Sequence, residues 1–421
     1  MSKAEGHETE ERAHWLIGLA EHRIGWISDD KLAYLQRLKG TEPGGDIAAA
    51  TRKLVAEAEG WLEAAPFTVT GKREAPPSLD KHDYMSLSIY HWPNPATPDG
   101  LPYVTRDGQV NPEVERYDRP AMAGTHDAVE ALTLAFALTG EERYAAKSVD
   151  FLDAWFVDQA TRMNPNMLYA QYIPGHSGFD TPVRYPAVYV PGVEGHGIYV
   201  AFGGMIEGVR LVPVINLLPL LEPSPYWTPR ISDGMKRWCR DFLHWMLHHQ
   251  HGKDEAGCLN NHGSWYCVQA LAHALHSEDL DAARSIVRDR VPERIAMQIE
   301  PDGSMPEELG RANAFHYVVF GLTSFFNLAV MAEKLDVDLW HYATPDGRGI
   351  RRALDWLMPY LDNPGAWPGK VTKPVAGQLS GAVPLLHMAW RAYGDERYLR
   401  VLRRIRPDPD DHRNRLLFGQ T

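Results

Sequence analysis

The chain has 421 residues, 44% of them hydrophobic and 23% charged, with a formal net charge of −12. That length suits one large core or two domains, and the acidic balance argues against a nucleic-acid partner, whose phosphates would be repelled. No stretch reaches the roughly eighteen uninterrupted apolar residues of a membrane span, so no membrane partner is expected. The three cysteines, Cys239, Cys258 and Cys267, supply neither a disulfide framework nor a CxxC metal pattern and read as buried thiols. Met1 to Glu11 is polar and acidic, without the basic and apolar segments of a signal peptide. The expected compartment is therefore the cytoplasm, unless a leader has been removed. Oligomeric state is left open.

The first predicted helix covers Glu8–Leu38 and is closed by Gly40 and the Pro43-Gly44-Gly45 turn. A second runs over Ile47–Ala65, where Leu54, Ala58 and Leu62 recur at intervals of four. Residues 72–118 are irregular and rich in Pro, Gly, Asp and Tyr. The aromatics Tyr84, Tyr90, His91, Trp92 and Tyr103 in this region argue for an ordered lid or cleft wall, since disordered linkers lack such residues. Helices over Gly124–Leu138 and Glu142–Phe156 form a hairpin. Its junction, Gly140-Glu141-Glu142-Arg143-Tyr144, is echoed by Gly394-Asp395-Glu396-Arg397-Tyr398. Further helices are expected over Ile198–Leu221, Arg230–His249, Trp265–His276, Leu280–Gln298, Phe315–Leu335, Arg348–Leu361 and Val375–Tyr393. Val188-Tyr189-Val190 is a short, poor strand signal. The expectation is an all-α chain, one domain over residues 1–421, with helical hairpins stacked into a closed or nearly closed ring whose loops gather at one mouth; an open solenoid is the alternative.

Two polar clusters interrupt this scaffold. Asn260-Asn261-His262-Gly263-Ser264-Trp265-Tyr266 opens the apolar run of Val268, Leu271 and Leu275. It reads either as a capped helix start or as a site. About fifty residues on come Arg311 and Tyr317, six apart. On one continuous helix they would point about 240° apart, and a loop-to-helix transition between them would let both enter a cleft. The two clusters together match elimination on a 1,4-linked uronan. Removing the C5 proton builds charge beside a carboxylate, which Asn261 and Arg311 can neutralise. His262 and Tyr317 are suitable as base and acid. In mannuronate or glucuronate the C5 hydrogen and the C4 oxygen share a side, so Tyr317 can serve as both. In guluronate they oppose, and His262 is the natural base.

Other residues carry two readings each. Asn164 and Gln171 suit sugar hydroxyls or loop stabilisation; His126 suits a cleft or a satisfied buried position. Tyr84, Tyr90 and Trp92 suit stacking subsites or lid anchors, and Tyr266 suits a subsite or packing. His244 and His248 have i,i+4 spacing without an HExxH pattern, so they read as a solvated helix face, and no metal is expected. Asp254 and Glu255 read as capping or solvating carboxylates. With no convincing carboxylate pair, an inverting glycoside hydrolase is the weaker enzymatic alternative. A non-catalytic carbohydrate-binding solenoid would bury His262 and Tyr317 apart from each other.

Four blocks then fall in one order: Lys81-His82-Asp83-Tyr84-Met85-Ser86-Leu87 with Tyr90-His91-Trp92-Pro93-Asn94-Pro95; Met163-Asn164-Pro165-Asn166 with Tyr169-Ala170-Gln171; the Asn260 to Tyr266 run; and the Arg311/Tyr317 segment. Over roughly residues 70 to 390 the chain resembles the alginate lyase superfamily. The resemblance implies an (α/α) toroid that cleaves an anionic uronan by β-elimination without a cofactor, with His262 and Tyr317 catalytic and Asn261 and Arg311 on the substrate carboxylate. The Asn-His-Gly-x-Trp-Tyr arrangement and the Arg-to-Tyr interval are more similar to polysaccharide lyase family 38 than to the best-known alginate lyase group, where that interval is one residue longer. Alginate and glucuronan both remain as substrates.

Overall fold

Helices dominate because apolar residues recur at turn spacing between Gly and Pro stops, and the few strands fall in the proline-rich connections. A computed structural model describes residues 28–37, 45–175, 184–185, 198–199, 202–405 and 412–418. It opens with α1 (Asp29–Arg37) and α2 (Gly45–Leu62); most of the predicted Glu8–Leu38 helix, its Gly40 stop and the Val188-Tyr189-Val190 strand lie outside the described residues. The hairpin of α3 (Arg119–Thr139) and α4 (Glu142–Leu152) packs on α2. The expected Ile198–Leu221 helix is broken into a 3₁₀ stretch (Phe202–Arg210), α5 (Leu211–Leu217) and a further 3₁₀ turn, Leu218–Leu220. Pro213 and Pro219 lack the N–H that a continuous helix would use there.

Next come α6 (Pro229–His248), α7 (Gln250–Ala256) and α8 (Asn261–His276). The predicted Leu280–Gln298 helix is α9 (Leu280–Ser285), a π turn over Ile286–Arg290, and α10 (Val291–Gln298). Pro292 at the head of α10 cannot donate to the preceding turn, which the π turn accommodates. The short α11 (Pro306–Leu309) leads into α12 (Ala314–Glu333), followed by α13 (Ile350–Asp362), α14 (Val383–Tyr393), α15 (Glu396–Ile405) and α16 (His412–Phe418).

Three helices, α3, α8 and α12, are buried along nearly their whole length. A helix with no polar face belongs inside a protein. In α12 the polar residues turn their hydrogen bonds back on the helix: Thr323 Oγ1 donates to Val319 O at 2.7 Å, Ser324 Oγ to Gly321 O at 2.6 Å and Asn327 Nδ2 to Thr323 O at 2.9 Å. Among the described residues α12 is the one helix long and apolar enough to cross a membrane, but 89% of its apolar window is buried inside the protein, so it is a core helix.

The echoed junctions are one device used twice. Gly140 and Gly394 each adopt a left-handed conformation, with φ of 77° and 63°, and cap the preceding helix by donating to Phe136 O and Trp390 O; glycine takes that conformation without strain. The following arginine pairs back to the loop carboxylate, Arg143 to Glu141 at 2.8 Å and Arg397 to Asp395 at 2.8 Å. Next, Tyr144 and Tyr398 bury their rings and donate to a carboxylate of a neighbouring helix, Glu59 at 2.6 Å and Asp355 at 2.9 Å. The circuit closes at the end of the chain, where α16 packs on α2 and α14. Arg413 on α16 bridges Glu57 of α2 and the buried Glu130 of α3, at 2.6 Å from the latter. The architecture is an (α/α) toroid, as expected.

Residues 72–118 are anchored at their root. Lys72 Nζ and Asp118 Oδ2 meet at 3.0 Å with both side chains 1% exposed, and Asp118 also accepts from Met85 N–H at 2.8 Å. Met85 begins β1 (Met85–Leu87), which pairs in parallel with β4 (Tyr169–Tyr172), while β2 (His91–Trp92) and β3 (Val104–Thr105) form an antiparallel ribbon. A third ribbon joins β5 (Arg184–Tyr185) to β6 (Ile198–Tyr199).

Candidate active site

Asn260 caps α8: its side-chain oxygen accepts from His262 N–H at 3.1 Å. The helix therefore starts at Asn261, four residues before the expected Trp265, and this places Asn261 and His262 in its first turn. The segment before it is clamped from behind. Arg294 Nη1 donates to Cys258 O at 2.6 Å and Gln298 Nε2 to Asn260 O at 2.5 Å. Gly263 lies so close to this clamp that a Cβ there would meet Cys258 O at 2.3 Å and Arg294 Nη1 at 2.7 Å.

Two buried carboxylates orient the first turn of α8. Glu255, 0% exposed, accepts from His262 Nδ1 at 2.8 Å. With Nδ1 carrying the proton, Nε2 is left for the cleft. Burial opposes the imidazolium, but the charge and hydrogen bond of Glu255 outweigh it and hold the His262 pKa above the ordinary histidine value. Glu308 grips Asn261 with both oxygens, accepting from its N–H at 2.6 Å and from Nδ2 at 2.7 Å. Burial pushes the Glu308 carboxyl up, against these bonds and the charge of Arg311. Since Nδ2 carries two hydrogens, the bond to Glu308 uses one of them.

Arg311 sits in the turn between α11 and α12, and Tyr317 in the first turn of α12. The break in the helix that their spacing required is present. The guanidinium stacks 3.7 Å from the centre of the Tyr317 ring, and Nη2 donates to the Tyr317 hydroxyl at 2.7 Å and to Asp107 Oδ1 at 3.1 Å. Burial works against the Arg311 charge, yet Tyr317, Asp107 and Glu308 together raise its pKa. His262 in turn feels the charges of Arg311 and Glu308. The lid supplies one more group: Tyr90 places its hydroxyl 3.2 Å from that of Tyr317.

His262, Asn261, Arg311, Tyr317 and Tyr90 thus form one constellation. Several other candidates stand elsewhere. Tyr84 is 0% exposed and donates to Glu207 at 2.7 Å, with Arg119 on the other oxygen at 2.7 Å, so it offers no stacking face and is a lid anchor. His126 is 1% exposed and pairs with Asp127 at 3.0 Å, which corrects its reading as a cleft residue. Asn164 spends its amide on Asp83 at 2.9 Å and Asp80 at 3.0 Å, tying the second motif block to the lid root, as its loop-stabilising reading has it. Tyr266 is buried and donates to Met246 O at 3.0 Å, so it packs in the core. It borders a cavity of about 480 Å³ behind α8, which none of the constellation residues lines. Trp92 donates Nε1 to Gln109 O at 2.9 Å and takes the Arg106 guanidinium on its ring at 5.0 Å, serving as an anchor within the lid. Gln171 is half-buried and holds a left-handed φ of 54°, with its N–H on Ser86 Oγ at 2.8 Å.

Glu255, Glu308 and Asp107 are the residues that sequence reasoning misses; Glu255 is neither the capping nor the solvated carboxylate that its sequence suggests, but a buried partner of His262. Among the described residues no three His, Cys, Asp or Glu side chains are grouped to hold a metal ion. The three cysteines are free and buried.

A sequence profile described as alginate lyase matches residues 68–367. The chain is similar to the crystal structure of an alginate lyase from Bacteroides ovatus, with 34% identity and a TM-score of 0.84, covering 95% of this chain and 99% of that one. It also shares its fold with alginate lyase A1-III from Sphingomonas species A1, at 18% identity and a TM-score of 0.51, covering 94% of this chain and 96% of that one. A variant of that enzyme complexed with a tetrasaccharide gives a TM-score of 0.52 at 18% identity. No curated protein sequence matches the chain. With the profile spanning most of its length and the Bacteroides structure alike over nearly all of it, the chain belongs to the alginate lyase family of polysaccharide lyases.

Proposed function

We propose that the chain cleaves 1,4-linked uronans, alginate first and glucuronan second, by β-elimination with Tyr317 as both base and acid. The observation that carries this reading is the Arg311–Tyr317 pair, a guanidinium donating at 2.7 Å to the phenol oxygen. Such a donor stabilises the negative charge the oxygen bears after losing its proton. The substrate carboxylate is received by the second Nδ2 hydrogen of Asn261, by Arg311 and by the Nε2 face of His262, which a raised pKa makes a ready cation. Tyr317 then takes the C5 proton, the C4–C5 double bond forms as the C4–O4 bond breaks, and the same phenol returns a proton to the departing O4. One group suffices where hydrogen and oxygen share a side, as in mannuronate and glucuronate. The bias of His262 toward its charged form disfavours it as the base that guluronate requires. The Bacteroides and Sphingomonas relatives, both described as alginate lyases, support the substrate class.

The test compares polymannuronate, glucuronan and polyguluronate by the ultraviolet absorbance of the unsaturated product. Faster cleavage of the first two is expected. A preference for polyguluronate would overturn the assignment of Tyr317 as sole proton carrier.

A further inference from the structure

The lid sets an anion on the very cation that the proposed reaction reserves for the substrate's anion. Arg106-Asp107-Gly108-Gln109 is a tight turn: Gln109 N–H donates to Arg106 O at 3.0 Å and Gly108 has a φ of 78°. It is fixed to the rest of the lid by Arg106 N–H donating to Tyr90 O at 2.7 Å, by the Arg106 guanidinium on Trp92 at 5.0 Å, and by Trp92 Nε1 on Gln109 O at 2.9 Å. Asp107, at the turn's tip, accepts from Arg311 Nη2 at 3.1 Å, while that same nitrogen donates to Tyr317 at 2.7 Å. An Nη2 group has two hydrogens. With both partners in place it has none for a third; the hydrogens of Nη1 and Nε lie elsewhere on the fork, so a uronate carboxylate that binds at Nη2, the nitrogen beside the Tyr317 oxygen, takes over the hydrogen that Asp107 holds.

We propose that Asp107 is a specificity-determining residue, a built-in stand-in for the uronate carboxylate that the substrate displaces from Arg311. The inference rests on the reading of Arg311 as the carboxylate's partner. The side chains of Arg311 and Asp107 are 27% and 39% exposed, and a partly exposed ion pair of this kind is weak enough to exchange. A ligand that brings its own carboxylate replaces one charge-assisted bond with another. A neutral sugar has nothing to offer in return, so Asp107 discriminates against it by an unfavourable exchange. Tyr90, bound through its carbonyl to the same turn, covers the phenol oxygen at 3.2 Å, so one lid unit occupies both the cation and the base.

The test measures kcat and KM on polymannuronate, and calorimetric binding of a mannuronate trisaccharide and of neutral mannotriose, for the wild type, Asp107→Asn and Asp99→Asn. Asp99 is the control, a lid carboxylate that accepts from Leu101 N–H at 3.1 Å. Asp107→Asn should lower KM and the trisaccharide Kd about two- to fivefold, the range a partly exposed ion pair commands, with kcat held within about twofold. Mannotriose should bind the variant more tightly than the wild type, and Asp99→Asn should change none of these. An equal gain from Asp99→Asn would reduce the effect to general charge and overturn the proposal. So would a fall in kcat with KM unchanged, which would make Asp107 a positioning residue for Arg311. Absence of cleavage by the wild type would remove the reaction reading, while the two sugar titrations would still decide the exchange.

Discussion

His262 takes its chemical character from Glu255, a wholly buried carboxylate seven residues earlier. Because Glu255 raises the His262 pKa, the imidazolium is favoured in the fold; the associated stability is full below the ordinary histidine range near 6.5 and is lost as pH rises through the folded pKa. Glu255→Gln removes the charge and lowers that pKa, so the alkaline limb of the pH profile of kcat/KM on polymannuronate should move to lower pH. An unmoved limb would mean that His262 does not act as a cation. Asn261, His262, Arg311 and Tyr317 were legible in the sequence because amides, imidazoles and a lone Arg/Tyr pair stand out beside apolar helix starts. Their carboxylate partners were not. The chain has 55 Asp and Glu residues, and nothing in spacing distinguishes the buried Glu255 and Glu308 from the solvated majority. Tyr84 stays open between subsite and anchor for the opposite reason, since an aromatic in a proline-rich loop fits either reading until its hydroxyl is found on Glu207.

The element that matters most is the first turn of α8, held by the Asn260 cap in front and by Arg294 and Gln298 behind. Asn260→Ala should cost about 1 kcal/mol of stability in a urea titration. It should lower kcat/KM by more than that loss implies, because the cap sets the position of Asn261 and His262. Equal and small effects on both would contradict a positioning role. Helix existence was legible from periodicity, and the capped start at Asn260 from its side chain, while the periodic range begins four residues later because the polar run Asn261-His262-Gly263-Ser264 breaks the apolar pattern. The lid was legible as an ordered segment from its aromatics. Which of them face the cleft depends on pairings such as Arg106, in the turn after β3, on Trp92 of β2.

At the scale of the whole molecule, the chain closes on itself through α16. Arg413 reaches Glu57 across 356 residues of sequence and also meets Glu130, whose side chain is 2% exposed. Arg413→Ala should destabilise the protein by on the order of 3 kcal/mol, since it removes a partner from a buried carboxylate. The urea midpoint should fall with the slope unchanged. An unaltered midpoint would show that the ring does not depend on this clasp. The succession of hairpins was visible in the sequence, most clearly in the junctions at Gly140 and Gly394, whereas closure rests on contacts between the two ends of the chain that no local pattern records. The ring holds its helix starts and lid around one cluster of a phenol, a guanidinium, an amide and an imidazole, a set suited to elimination and lacking the carboxylate pair that hydrolysis uses. The most direct test is mass spectrometry of the products released from polymannuronate by the purified chain. Elimination predicts oligomers with an unsaturated terminal uronate, each lighter by one water than the hydrolytic product and absorbing in the ultraviolet. Saturated ends, or an intact polymer, would contradict it.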